Sequence, residues 1–320
     1  MRTSLITVGH IVATAGLALT ASSAIAQHRP PSVSVLATGL EGGSGSTIGP
    51  DGALYVTEWE VGRVSRVDPK TGEIRTFAEG LPAGLPEIPY SGACDVAFIG
   101  KTAYVLVTLV AEDVGGNEVV GIYRIDGPNR STVIADLGSW SMAHPPSSSF
   151  EVPTGAQFAL QPYRGGLLLT DSHHNRVLWV STSGEIREVA TYDNVAPAGI
   201  AARGRLVFVA EAGPIPHLPE DGRVSAFVPN SAPRVVATGT RLPVDVEFGP
   251  ENGLFAIAQG EWDGVFPGDP ALPNAGSLLR VESDGSFTTI VDGLDRPTSL
   301  EFIGRTAYVV TFSGEILKIR

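Results

Sequence analysis

The sequence predicts an all-β, six-bladed β-propeller with four-stranded antiparallel blades, and three observations predict it. One phrase recurs around the chain, clearest as Gly49-Pro50-Asp51-Gly52-Ala53-Leu54-Tyr55-Val56-Thr57-Glu58 followed by Gly62-Arg63-Val64-Ser65-Arg66-Val67-Asp68-Pro69. Each piece is a short apolar run closed by Gly, Pro or Asp, the mark of a strand ending in a tight turn. The period is roughly 40 to 50 residues with four such runs, the repeat length of a propeller blade. Lastly, the outer strand of the sixth blade is missing at the C-terminus, and a segment resembling one stands near the N-terminus.

The elements follow in order. Residues 1–26 read as a signal peptide: Arg2 supplies the positive start, 5–21 is a short apolar stretch, and Ala24-Ile25-Ala26 is an A-x-A cleavage signal. Cleavage after Ala26 would leave 27–320 as one domain, exported to the periplasm or beyond, with no other stretch of membrane-spanning length. With strands named A to D from the axis outward, the A strands are expected at 45–48, 95–98, 155–158, 199–202, 245–248 and 299–302. The B strands fall at 54–57, 103–107, 167–170, 206–210, 254–258 and 307–310, and the C strands at 63–67, 122–125, 176–180, 223–228, 277–281 and 315–319. Only five D strands follow, at 74–78, 132–135, 186–190, 234–237 and 288–291. Residues 32–40, with Val35-Leu36-Ala37-Thr38-Gly39-Leu40 echoing Phe77-Ala78-Glu79-Gly80-Leu81, are expected to supply the sixth and close the ring.

Composition narrows the partners. Without residues 1–26 the chain carries 21 Lys and Arg against 34 Asp and Glu, a net charge near −13. Nucleic acid and anionic membrane surfaces need clustered positive charge, so neither is expected as a partner. Cys94 is the lone cysteine and sits in an apolar run, which reads as a buried structural thiol. A monomer is expected.

The long connections, 80–92, 108–118, 137–153, 212–221 and 260–276, all join D to A or B to C strands and so emerge on one face. Long loops gathered on one side of a rigid scaffold point to a binding site. Its candidate residues are Glu58, Trp59, His144, Asp171, His173, His174, Glu211, His217 and Trp262, with Glu58, Asp171 and Glu211 at the same post-B position of three blades. Asp95 and Asp245 open the A strands of opposite blades and are candidate ligands for a divalent cation such as calcium. Glu247 and Glu301 read as channel lining. His173 and His174 are adjacent and lack the spacing of a helical zinc pair. Each carboxylate also has a plainer reading, as an acceptor for loop N–H groups.

The phrases Phe150-Glu151-Val152-Pro153-Thr154-Gly155, Ser172-His173-His174-Asn175-Arg176-Val177-Leu178, 210–219 and Pro297-Thr298-Ser299-Leu300-Glu301-Phe302-Ile303-Gly304 resemble the ScyD/ScyE family of exported bacterial propellers, within the wider NHL and SMP-30-like group. That resemblance implies the fold and an exported location, and no catalytic residue. The function expected is therefore binding of a small molecule or a protein on the loop-rich face. The phrase 49–66 also resembles streptogramin lyase and SMP-30-like repeats, which implies the alternative of a metal-assisted hydrolase, lactonase or lyase.

Overall fold

The computed structural model describes residues 30–147, 152–264 and 268–320. The expected signal peptide, and Phe150 and Glu151, lie outside the described residues. Apolar residues alternate or run continuously through 24 strands, which form six four-stranded antiparallel sheets. β1 (Val33–Ala37) precedes blade 1, which is β2 (Gly43–Ile48), β3 (Leu54–Glu58), β4 (Arg63–Val67) and β5 (Ile74–Ala78). Blade 2 is β6 (Gly92–Ile99), β7 (Thr102–Thr108), β8 (Gly121–Gly127) and β9 (Arg130–Asp136). Blade 3 is β10 (Gln157–Tyr163), β11 (Gly166–Asp171), β12 (Arg176–Ser181) and β13 (Ile186–Thr191). Blade 4 is β14 (Pro197–Arg203), β15 (Leu206–Glu211), β16 (Gly222–Phe227) and β17 (Arg234–Thr240). Blade 5 is β18 (Pro243–Phe248), β19 (Leu254–Ala258), β20 (Gly276–Val281) and β21 (Phe287–Leu294). Blade 6 is β22 (Pro297–Ile303), β23 (Thr306–Thr311) and β24 (Ile316–Ile319), completed by β1.

The ring closes as expected. β1 runs antiparallel to β24, pairing Val33 with Ile319 and Val35 with Leu317. Ser32 and Arg320 exchange backbone hydrogen bonds of 2.9 and 3.1 Å beyond the pair. Ala37 and Leu40 bury their side chains against Leu54, Val310 and Ile316, so the seam is apolar as well as hydrogen-bonded.

Two local differences from the sequence reading have clear causes. The innermost strand of blade 3 begins at Gln157 rather than 155, because Val152 to Gly155 form a turn (Gly155 N–H to Val152 O, 2.9 Å) that needs φ +79° at Gly155. Within the 137–153 connection, Leu137–Ala143 forms the short helix α1, capped by the Asp136 carboxylate on Ser139 N–H at 2.8 Å.

Every A strand is irregular near its start, where the A–B register slips. A bulge re-aims the next side chain. In blades 2 and 5 that side chain is Asp95 or Asp245. Blade-to-blade packing is apolar and aromatic, with Tyr55 edge-on to Phe98 between blades 1 and 2, and Phe208 edge-on to Phe248 between blades 4 and 5. Cys94, at the blade 2 bulge, is buried and its thiol lies 3.2 Å from Phe158 O; burial pushes it up to about 12, so it is the inert thiol expected.

Candidate functional site

Three features share the centre and the loop-rich face: an axial cavity, an aromatic plug above it, and a cleft between blades 3 and 4. The axial cavity is about 290 Å³ and is lined by the inner strands, with Asp95, Asp245, Glu247 and Glu301 as its acids. Asp95 accepts from Val96 N–H at 2.7 Å and from Leu160 N–H of blade 3 at 2.6 Å. Asp245 does the same three blades on, accepting from Val246 N–H at 2.8 Å and Leu300 N–H of blade 6 at 2.8 Å. Both are packed against a glycine of the preceding blade: a Cβ on Gly45 would lie 2.0 Å from Asp95 Oδ1, and one on Gly199 2.5 Å from Asp245 Oδ1. Each aspartate is thus a strap between neighbouring blades.

Burial raises all four channel carboxyls. It takes Asp245 to about 8, with Leu300 N–H opposing and the Glu247 charge adding, and Glu247 to about 7, with Phe248 N–H and Arg203 opposing. Asp95 and Glu301 stand well above the ordinary range, through burial first and then, for Glu301, the charges of Glu247, Asp245 and Asp95. Among the described residues no three His, Cys, Asp or Glu side chains are grouped to hold a metal ion.

At the loop-rich end Tyr90 lies across the axis. From the connection between blades 1 and 2 it touches Phe158 of blade 3 and Phe312 of blade 6, and its hydroxyl accepts from Gln259 Nε2, after blade 5, at 2.8 Å. Only an axial position reaches three distant blades at once. Trp59 stacks on Phe312 at 5.7 Å and is buried, so it belongs to this plug.

The three post-B carboxylates have a shared role that sequence reasoning missed. Each faces, in register, the arginine that opens the next strand: Glu58 with Arg63, Asp171 with Arg176, Glu211 with Arg223. Burial alone would raise Glu58, but Arg63, Ser65 and the Glu41 N–H hold it below the usual carboxylate range. Asp171 is fully buried and accepts from Arg176 Nε at 3.0 Å, and Arg176 also donates to Ser141 Oγ and His144 O. His174 Nε2 lies 3.1 Å from Val152 O, and its Nδ1 lies 2.9 Å from Arg176 Nη2 and 3.1 Å from Asp171 Oδ2, so the ring is held within the same buried cluster. The signal was present in the sequence: an acid ending one strand and an arginine opening the next.

The remaining candidates are spread around the face. His144 is exposed and stacks on Trp140 at 4.3 Å, and His173 is half-buried beside His174. His217 is buried, its ring pushed down by burial, with Nδ1 3.1 Å from Ala212 O and its edge toward Trp262. Trp262 is half-buried and donates to Asp269 O at 2.9 Å. Of the loop-face candidates, His174 and Glu211 come together, among the described residues, on the cleft of about 1060 Å³ between blades 3 and 4, whose walls also carry Tyr192, Arg223 and Ser225. No helix among the described residues is long and apolar enough to cross a membrane.

A ring of six four-stranded blades with an acidic axis defines the class as six-bladed β-propellers, and solved structures agree. The chain is similar to a catalytically inactive virginiamycin B lyase from Staphylococcus aureus solved with quinupristin, at 17% identity, covering 87% of this chain and 80% of that one, TM-score 0.54. It is similar to a gluconolactonase from Xanthomonas campestris at 11% identity, covering 90% and 88%, TM-score 0.62. A third is the PQQ-bound aldose sugar dehydrogenase of Streptomyces coelicolor, at 14% identity, covering 91% and 98%, TM-score 0.59. At these identities the likeness is one of fold, and fold alone does not carry function. No protein-family model and no curated protein matches the sequence.

Proposed function

We propose that this is an exported propeller of the ScyD/ScyE kind that binds a small-molecule ligand on its loop-rich face. The observation that supports this best is the cleft of about 1060 Å³ between blades 3 and 4, which draws its walls from the connections of that face. A concave site of this size with convergent polar groups is the usual form of a ligand pocket. The test is a thermal-shift screen of the native chain against hexoses, disaccharides, aldonic acids and their lactones. A bulky maleimide on Asn194→Cys should abolish the stabilisation, whereas one on Lys101→Cys, on the opposite turns, should leave it intact. Blocking from Lys101 alone would refute the assignment of the working face.

A second reading rests on the four acids of the axial cavity. With a divalent cation there, the chain would act as a metal-assisted hydrolase, lactonase or lyase, in line with the names of two fold neighbours, although among the described residues these acids are not grouped to hold a cation and would have to draw together on one. Under this reading Glu301, whose side chain accepts no hydrogen bond among the described residues, is the first residue to test. Lactone hydrolysis followed by pH-stat with added calcium should appear in the native chain and disappear in Glu301→Gln. Hydrolysis that survives Glu301→Gln removes this reading.

A further inference from the structure

Blades 1 and 4 carry the same words at the same place: Glu58, Gly62-Arg63-Val64-Ser65 in one and Glu211, Gly222-Arg223-Val224-Ser225 in the other. In blade 1 the group is sealed. The Glu58 carboxylate accepts from Arg63 Nε at 2.8 Å, from Ser65 Oγ and from Glu41 N–H at 2.8 Å, and Arg63 Nη2 also reaches the Glu41 carboxylate at 3.2 Å. Glu41 comes from the connection that leads into blade 1 and acts as its lid.

In blade 4 the lid is absent. The connection leading into it carries Tyr192, and Glu211 has one hydrogen-bond partner among the described residues, Arg223 Nε. The Arg223 side chain is 32% exposed, and among the described residues neither terminal nitrogen makes a hydrogen bond. Ser225, the counterpart of Ser65, is 1% exposed, and among the described residues its hydroxyl and the buried hydroxyl of Tyr192 have no partner but each other. These groups are neighbours: burial pushes the Tyr192 phenol up, the Ser225 hydroxyl pulls it back, and the charges of Glu211 and Arg223 both reach it. A hydroxyl pair bonded only to itself, a carboxylate with one partner and a partly exposed guanidinium, all in one wall of a large cavity, mark a place where a ligand can complete the bonding.

We propose that the cleft between blades 3 and 4 is a binding site for a neutral, hydroxyl-rich small molecule, recognised by Ser225, Tyr192 and the Glu211–Arg223 pair. The inference rests on the reading that the loop-rich face binds a ligand. Charge selects the class. Glu211 already neutralises Arg223, and Glu188 and Asp193 on the rim keep the field negative, so an anion is disfavoured. An adjacent carboxylate and guanidinium suit a pair of neighbouring hydroxyls, each of which can donate to one and accept from the other. The Ser225 and Tyr192 hydroxyls take either role. Pro145, Pro146 and Pro233 give the C–H faces of such a ligand an apolar wall.

The test uses calorimetric titration of the full chain with glucose, trehalose and maltotriose as neutral probes and gluconate as the charged one. Hydrogen exchange then locates the bound probe. A neutral probe should bind and protect residues 191–196 and 222–226. Ser225→Ala and Tyr192→Phe should each weaken it by about fivefold or more, and each should lower the unfolding midpoint by less than Ser65→Ala does, since it removes one weak bond between two neutral hydroxyls rather than a bond to a buried carboxylate. Ser65→Ala, its counterpart in the sealed group, should lower the midpoint and leave affinity unchanged. Unaltered affinity in both cleft variants, or preference for gluconate, would overturn the proposal, as would no binding of any neutral probe at tens of millimolar. Protection elsewhere on the loop-rich face would remove the cleft but keep that face as the binding side. Protection confined to the turns at 68–72 and 99–101 would remove both.

Discussion

Raising the pH from about 5 to about 8 should weaken this propeller, and Asp245 makes the size of the effect calculable. Its carboxyl moves from 3.8 in an open chain to about 8 in the folded ring, chiefly because burial penalises the charge. The folded state therefore holds more protons than the unfolded state between those values, and stability falls as pH rises through that window. The protonated form's stabilising share is complete below about 4 and lost as pH passes 8. At 1.36 kcal/mol per unit the whole shift is worth roughly 6 kcal/mol at a dry site, of which roughly 4 kcal/mol is lost between pH 5 and pH 8. Asp245 is only half-buried against a cavity of about 290 Å³ that has room for water, so a loss of about 2–3 kcal/mol is expected. Glu247, Glu301 and Asp95 shift in the same direction and titrate with it as one body, while Arg203 opposes at Glu247 alone. The assay is urea unfolding at half-unit pH intervals on the native chain and on Asp245→Asn. The variant should be about 1–2 kcal/mol weaker at pH 5, because an amide accepts only one of the two backbone N–H groups, and it should show a shallower decline toward pH 8. A native chain that gains stability from pH 5 to pH 8, or an equal decline in both proteins, would refute the argument.

Other consequences are as direct. Deleting 27–40 removes β1 and the buried Ala37 and Leu40, and the product should aggregate; the milder Leu40→Ala should cost about 2–4 kcal/mol by denaturant unfolding. A soluble deletion with an unchanged thermal midpoint would speak against closure through β1. Arg176→Met should cost about 3–5 kcal/mol, since it leaves the fully buried Asp171 without its cation, and a urea midpoint within error of the native one would contradict that role. Cys94 should react with Ellman's reagent only after unfolding; rapid labelling of the native chain would show that the blade 2 bulge is open to solvent.

The strands were legible because each is a short apolar run with its own punctuation, and the missing outer strand of blade 6 announced the closure by β1. The side-chain roles were less legible. Glu58, Asp171 and Glu211 stood out as an equivalent set, but their partners lie across a strand pair and emerge only when the acid ending one strand is matched to the arginine opening the next. Tyr90 carried no signal at all, since its reach to Gln259 spans 169 residues and depends on the ring being closed. Trp59 is costly to expose in a loop, a cost that a ligand, a partner or the inserted loops can each meet, and its ring is buried against Phe312 and Gly84. Ser225 was invisible singly, although the repeated Gly-Arg-Val-Ser phrase held the comparison that singles it out.

The paired aspartates have a wider meaning for how the ring is divided. Gly45, Asp95 and Leu160 stand in blades 1, 2 and 3, and Gly199, Asp245 and Leu300 repeat the same contact in blades 4, 5 and 6. The Tyr55–Phe98 and Phe208–Phe248 contacts keep that spacing, as do the two Gly-Arg-Val-Ser phrases. The molecule is thus two half-rings of three blades, related by a half-turn about the axis, and it has two junctions of the same kind: blade 6 to blade 1, and blade 3 to blade 4. At the first, the connection from β1 into β2 carries Glu41, which fills the gap, while the bonding of the chain ends lies within blade 6. At the second, the connection from β13 into β14 leaves Glu211 and Arg223 unsealed, and the junction stays hollow.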